Sequence, residues 1–343
     1  MRAWCCKCKL NKIIIQTANF LLVLFLSSAL AGVGTETMQF LKIKPSARAT
    51  SLGDSFVSIA NDVNATFYNP AGLAQLDTPE FSLMHMVYMA DTSYEFGTLV
   101  LPVGDKIRIG AYVIYMNYGS FGKTTEDTTG VYQTGTGSYS PYDLSTAVSL
   151  GYKMTKNINI GINFKMAVSD IDGSKLNGIM GDAGILLKLS EEIGLGGVVY
   201  NLGGALTNGD STPVIAKFGL STKLSLAEEN DLTVGVGCNY VSASSKLSES
   251  LGAEYIFQEM FVLRAGYGIN SDSDSLNVGA GLRQNLGGMI GTLDYNFSLL
   301  GDMGSAHRVS IGVKFGEKGG TKSKSVNSKK KSYNSGIRNY YKR

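Results

Sequence analysis

Residues 306–316 read AHRVSIGVKFG. His307, Val309, Ile311, Val313 and Phe315 alternate with Arg308, Ser310, Gly312 and Lys314, a period-2 pattern that makes a strand with one apolar and one polar face. The same alternation recurs towards the N-terminus. It predicts strands over 80–89, 94–103, 106–117, 142–153, 157–169, 179–189, 192–202, 213–224, 231–242, 248–258, 260–269, 275–285, 289–299 and 306–316. Fourteen is an even number, as bacterial single-chain barrels have. The chain is therefore expected to be all-β, a transmembrane antiparallel β-barrel of about 14 strands, with a short N-terminal helical plug.

The phase of the charges supports a barrel. In 157–169, Ile158, Ile160, Ile162, Phe164, Met166 and Val168 share one face, and Asn157, Asn159, Gly161, Asn163 and Lys165 the other. Treating each segment this way puts Glu95, Arg108, Lys153, Lys165, Asp182, Lys188, Lys217, Glu254, Arg264, Arg283 and Asp294 inside. A Lys or Arg facing lipid near the midplane would cost about 2–4 kcal/mol. The first strand gives no clear phase, because Phe81, Leu83, His85 and Val87 compete with Met84, Met86 and Tyr88 for the lipid side. A soluble sandwich or solenoid also has one apolar face. It would carry more proline in its turns and less glycine at its polar positions than a chain with six prolines and 42 glycines.

Connections alternate in length. Tight turns are expected at Gly104-Asp105, Thr155-Lys156, Ser190-Glu191 and Glu259, and longer polar loops at 118–141, 170–178, 203–212, 270–274 and 300–305. Short periplasmic turns opposite longer extracellular loops give the same asymmetry.

The N-terminus carries an export pattern. Arg2, Lys7, Lys9 and Lys12 precede an apolar stretch from Ile13 to Leu26, and Ala29-Leu30-Ala31 supplies small residues for cleavage. Residues 1–31 are read as a signal peptide. Cleavage would remove Cys5, Cys6 and Cys8 and leave Cys238, which cannot form an internal disulfide alone. Cys238 is in phase with Leu232, Val234, Val236 and Tyr240, so it faces outward. After the signal no apolar run reaches about 18 residues, which argues against a helical membrane protein. A mean hydropathy of +0.04 fits alternating lipid-facing and lumen-facing positions instead.

Charge is divided along the chain. The formal +3 includes +4 from the signal and +8 from residues 317–343, so residues 32–316 carry −9. The basic balance therefore belongs to the ends, and no nucleic-acid partner is read from it. The tail EKGGTKSKSVNSKKKSYNSGIRNYYKR has too few aliphatic residues to build a core and is expected to be disordered. Its Lys329, Lys330, Lys331 and Arg338 form a basic cluster suited to an anionic partner. The domain reading is thus 1–31 signal, 32–78 periplasmic or plug segment, 79–316 barrel and 317–343 basic tail.

Residues 44–76, KPSARATSLGDSFVSIANDVNATFYNPAGLAQL, cannot span a membrane and must lie at the rim or in the lumen. A short helix is expected between Ala47 and Asn61, with Leu52, Phe56 and Ile59 near one face. Asn69, Pro70, Ala71 and Gly72 form a turn signal leading towards the first strand. Here Arg48-Ala-Thr-Ser-Leu-Gly-Asp54, the run from Asn61 to Tyr68, and Asn69-Pro-Ala-Gly-Leu73 resemble the N-terminal signature of the PorV/PorQ outer-membrane proteins, related to FadL-type transporters. The resemblance implies a fourteen-stranded barrel with an N-terminal hatch. It implies either a type IX secretion component that holds cargo at the cell surface or a transporter passing hydrophobic molecules. The basic tail is a departure from that pattern.

Enzyme chemistry finds no support. His85 and His307 have no local zinc or triad motif, and Gly194-Leu-Gly-Gly197 lacks the helix of a dinucleotide loop. No catalytic residue, metal or cofactor is expected. The function expected is secretion-associated or hydrophobic-molecule transport in a Gram-negative-type outer membrane, with the tail in the periplasm. The expected partners are outer-membrane lipid, secreted cargo or secretion-machinery proteins, and a hydrophobic small molecule. The alternative is a structural envelope barrel with a closed lumen.

Overall fold

A computed structural model of the chain describes residues 37–316 except 136, 211, 243 and 271–275. The expected signal peptide at 1–31 and the basic tail with Lys329, Lys330, Lys331 and Arg338 lie outside the described residues. Fourteen long strands follow the N-terminal segment. They are β1 (Glu80–Val87), β2 (Ser93–Val103), β3 (Ile107–Asn117), β4 (Tyr142–Lys153), β5 (Ile158–Ile171), β6 (Ser174–Lys188) and β7 (Ile193–Leu206). The second half comprises β8 (Ile215–Ala227), β9 (Asn230–Val241), β10 (Lys246–Phe257), β11 (Phe261–Ile269), β12 (Leu276–Asn285), β13 (Met289–Leu299) and β14 (Ser305–Phe315). Each pairs antiparallel with its sequence neighbours. β14 then returns to β1, from Glu80 opposite Lys314 to Val87 opposite His307, and closes the sheet. Closure leaves no exposed edge.

The outer face is apolar all round. Leu83, Phe164, Leu263 and Ile311 are 44%, 58%, 63% and 52% exposed. An apolar surface of this extent is far beyond the patches of a soluble monomer. Inward positions hold the charges: Arg108, Lys165, Asp182, Lys217, Glu254, Arg264 and Asp294 are buried in the lumen. Lys153, Lys188 and Arg283 share the inward phase of their strands.

Glu95 corrects that pattern. It lies on the outer face, 2.6 Å from His85, opposite it in the β1–β2 ladder. The first strand settles its phase the same way: Phe81, Leu83, His85 and Val87 face out, and Met84 and Met86 face in. The reason is packing, since Tyr94 and Phe96 on either side of Glu95 are needed inside, where they meet Met84 and Met86.

All turns on the side where the chain enters β1 are short, and the longer loops lie at the other end. Three connections differ from the sequence expectation. Residues 170–178 are not a loop, because β5 and β6 run on to a two-residue turn at Asp172-Gly173. Both residues have positive φ, +52° and +83°, as a type I′ hairpin turn requires. β7 continues through Gly203 to Leu206. The long 118–141 connection carries two short ladders, Phe121–Gly122 with Ser138–Tyr139 and Thr125–Glu126 with Tyr132–Gln133.

Candidate functional site

The lumen is filled by residues 37–79. The chain starts near the loop end and works down to the tight-turn end, where it enters β1. The helix expected between Ala47 and Asn61 is broken into single turns, Ala47–Thr50, Gly53–Ser55 and Phe56–Ile59. Gly53 has φ +60°, and Ala60 stops the last turn at φ +32°. A continuous helix would present one apolar stripe. Broken turns can present backbone and side chains to the wall on every side, and Leu52 and Phe56 are fully buried among them.

Asn69 holds the lower part of this hatch. Its Nδ2 donates to the Val57 carbonyl at 2.8 Å and to Ile185 of β6 at 3.2 Å, while Oδ1 accepts from the Ala71 amide. Pro70 starts the 3-10 turn Pro70–Gln75, where its missing N–H leaves nothing unpaired. Ala71 is fully buried. Gly72 packs so closely on Ala60 that a Cβ would lie 2.2 Å from the Ala60 carbonyl oxygen. The wall answers with glycines of its own. A Cβ at Gly161 would lie 2.2 Å from the Pro70 carbonyl carbon, and one at Gly184 would lie 2.2 Å from Asn69 Oδ1.

Ion pairs fix the hatch to the opposite wall. Arg48 meets Glu254 of β10 in a two-point contact, Nε to Oε2 at 2.8 Å and Nη2 to Oε1 at 2.9 Å. Its Nη1 donates to Asp62 at 2.6 Å. Glu254 also takes Arg264 of β11, which reaches on to Asp294 of β13 at 2.6 Å. Lys217 of β8 donates to Asp54 at 2.6 Å. Charges buried this deeply are tolerated only when paired and hydrogen-bonded, and here each carboxylate has cationic partners.

Burial alone would push the Asp54 carboxyl up, but Lys217 and then Lys44 outweigh it and hold the group well below the usual carboxylate range. A depressed folded-state value contributes stability that is present above the unfolded value, about 3.9, and lost as pH falls through the lowered one. Hatch anchoring at Asp54 is therefore expected to be constant from about pH 8 down to about pH 4.5. Protease protection of residues 37–78 in inserted protein checks this, and it should weaken only in stronger acid.

At the loop end, the inner face of β1, β2 and β3 is apolar and packs against the hatch. Met84, Met86, Tyr94, Phe96, Ile114 and Met116 are all buried there, and Phe40 and Leu41 from the start of the hatch pack into the same cluster. The Phe67 ring lies 5.8 Å from Tyr112 and 6.2 Å from Tyr200. The Tyr112 hydroxyl is buried and makes no hydrogen bond among the described residues. A water-filled pore would carry polar side chains here. Sequence reading missed this apolar lining because the first strand gave no clear phase. It also gave no role to the Arg48–Glu254 contact, although Arg48 and the inward phase of Glu254 were both visible.

Residues 27–198, half of the chain, match the model of the uncharacterised protein family UPF0164. The chain belongs to the UPF0164 family. The matched stretch takes in the hatch and the strands that carry the apolar lining, so it spans both parts of this UPF0164 site. No curated protein sequence matches the chain. Among solved structures, the Ralstonia pickettii toluene transporter TbuX is similar at 13% identity and a TM-score of 0.51, covering 80% of this chain and 97% of that one. A Pseudomonas aeruginosa FadL homologue aligns at 11% identity and a TM-score of 0.47, over 80% and 99%. The monoaromatic hydrocarbon channel CymD aligns at 12% and 0.48, over 80% and 99%. The TbuX likeness is one of fold, and in this UPF0164 chain that fold is the closed fourteen-stranded barrel described above.

Proposed function

We propose that this chain is a hatch-closed barrel of the outer membrane, of PorV/PorQ type, that passes hydrophobic molecules. The observation that carries the reading is the apolar lining of β1, β2 and β3 at the loop end, packed against Phe40 and Leu41 of the hatch. A lumen built for ions or sugars has no use for such a lining, whereas a hydrophobic solute entering from the loop end would find contacts like those the hatch now makes. The apolar exterior supports the membrane setting, and the transport named for TbuX is the kind of activity this lining suits. Fourteen strands return the chain to the side it started from, so the tail after Gly316 would begin in the periplasm. There Lys329, Lys330, Lys331 and Arg338 would face anionic polymer, lipid or protein.

The test is uptake of a labelled aromatic hydrocarbon by a Gram-negative host with and without the chain. Expression is expected to raise hydrocarbon uptake and leave saccharide entry unchanged. Removing residues 33–72 is expected to admit both, because the barrel then has no hatch. Unchanged hydrocarbon uptake beside a leaky hatch-less variant would leave the structural barrel as the better reading.

A secretion-associated role is favoured by the 118–141 loop, where Phe121, Val131 and Tyr132 are exposed. Cargo or secretion-machinery proteins would meet the barrel there. Deleting residues 119–140 is then expected to lose surface-held cargo while hydrocarbon uptake persists.

A further inference from the structure

Four tyrosines are buried among the described residues: Tyr68 of the hatch, Tyr94 of β2, Tyr112 of β3 and Tyr200 of β7. Three of their hydroxyls end on carbonyls of the hatch. Tyr68 donates to Pro45, Tyr94 to Ile43 at 3.4 Å and Tyr200 to Tyr68 at 2.5 Å. Tyr112 is only 4% exposed, and its hydroxyl has no partner among the described residues. A buried hydroxyl left unpaired costs stability, and phenylalanine would fill nearly the same space without that cost.

The surroundings of Tyr112 suit a ring that carries an oxygen. Phe67 and Phe96 lie 5.8 and 5.9 Å from its own ring, in the same apolar cluster as Phe40, Leu41 and Ile114. On the adjoining strands, Ser149 Oγ of β4 and Asn163 Oδ1 of β5 are also buried without a partner. Ser149 and Asn163 stand opposite each other in the β4–β5 ladder. Asn163 Nδ2 donates to the Thr66 carbonyl and to Asp182, both at 2.8 Å, which leaves Oδ1 as the spare acceptor. Three neighbouring strands thus hold unused hydrogen-bonding capacity beside an apolar lining.

The charges nearby are already matched. Asp182 of β6 takes Lys165 at 2.9 Å, and Lys165 donates to Asn201 at 2.7 Å. An ionised group arriving beside them would be buried with no counter-ion, which costs far more than burying an uncharged oxygen.

We propose that Tyr112 selects the solute, donating its hydroxyl to one uncharged oxygen on an otherwise apolar aromatic molecule, a phenol, that takes the place of Phe40 and Leu41 in the lining. A plain hydrocarbon leaves the hydroxyl unpaired, and a carboxylate is refused by the cost of burying its charge. The selection rests on the hydrophobic-passage reading above and narrows its substrate class.

Isothermal titration of the full-length barrel in detergent with p-cresol, toluene and p-toluate tests it, each corrected for uptake by detergent alone. The wild-type barrel is expected to bind p-cresol roughly five- to tenfold more tightly than toluene and not to bind p-toluate. Tyr112→Phe should bring the cresol-to-toluene ratio to about one. The temperature at which the closed barrel unfolds on a gel should hold or rise in this variant, because an unpaired hydroxyl has been removed. A hydroxyl kept for structure alone would give the reverse, a lower unfolding temperature with the ratio intact. Equal binding of p-cresol and toluene by the wild type, or a preference that survives Tyr112→Phe, overturns the selection; with hydrocarbon uptake by the host intact, the passage reading still stands. No binding of any of the three, together with no hydrocarbon uptake, overturns both.

Discussion

Glu254→Leu is expected to give a barrel that closes and inserts but does not seat its hatch. Glu254 is the carboxylate shared by Arg48 of the hatch and Arg264 of the wall, with contacts of 2.7–2.9 Å. Removing it leaves two guanidiniums buried with one acidic partner each, Asp62 and Asp294. Breaking a buried pair on one side costs about 3–5 kcal/mol, so the ratio of seated to unseated hatch should fall by roughly two to four powers of ten. Single-channel conductance should rise from a closed baseline, and protease should cut within residues 37–78. The paired change Arg48→Met with Glu254→Leu replaces the ion contact by apolar contact and should recover much of the closure. Conductance that stays at baseline in Glu254→Leu would mean that the ion contacts do not hold the hatch.

The second large effect is steric. Gly161→Leu on β5 places a Cβ 2.2 Å from the Pro70 carbonyl carbon and 2.3 Å from the Ala71 nitrogen, both backbone atoms that cannot swing aside. Overpacking of a fitted interior costs about 1–3 kcal/mol when side chains can yield, and more is expected where backbone must move. The variant should conduct like the protein lacking residues 33–72. In that shortened protein the same substitution should have almost no further effect, because the atoms it strikes are gone. Additive losses in the double variant would place the damage in the wall rather than between wall and hatch.

The barrel was legible because alternation is local and repeated. The phase of a strand such as Ile158–Ile171 is fixed by six apolar residues two apart, and no distant partner can reverse it. Glu95 was misread because the same rule, applied to charge alone, ignores what its neighbours must do; Tyr94 and Phe96 took the inside and carried the acid outward. The Asp172-Gly173 turn was readable in principle from its dipeptide, but the polar residues around it looked like loop. Within the hatch, Asn69-Pro70-Ala71-Gly72 stood out as a turn. The contacts of Asn69 with Ile185 and of Arg48 with Glu254 span 116 and 206 residues, and no local pattern encodes a pairing at that distance.

The glycines of the wall also bear on the order of assembly. Gly161, Gly184, Gly196 and Gly252 each stand where a single carbon would strike the backbone or Asn69 side chain of the hatch, so there is no slack through which a folded hatch could be threaded afterwards. The Ala47 amide donates to the Ser310 hydroxyl of β14, the last of the fourteen strands in the chain, across 263 residues. The hatch precedes every strand in the chain and touches both the middle and the end of the wall. It can therefore serve as a mandrel, a core in place before β14 meets β1, about which the sheet is wound to its final circumference.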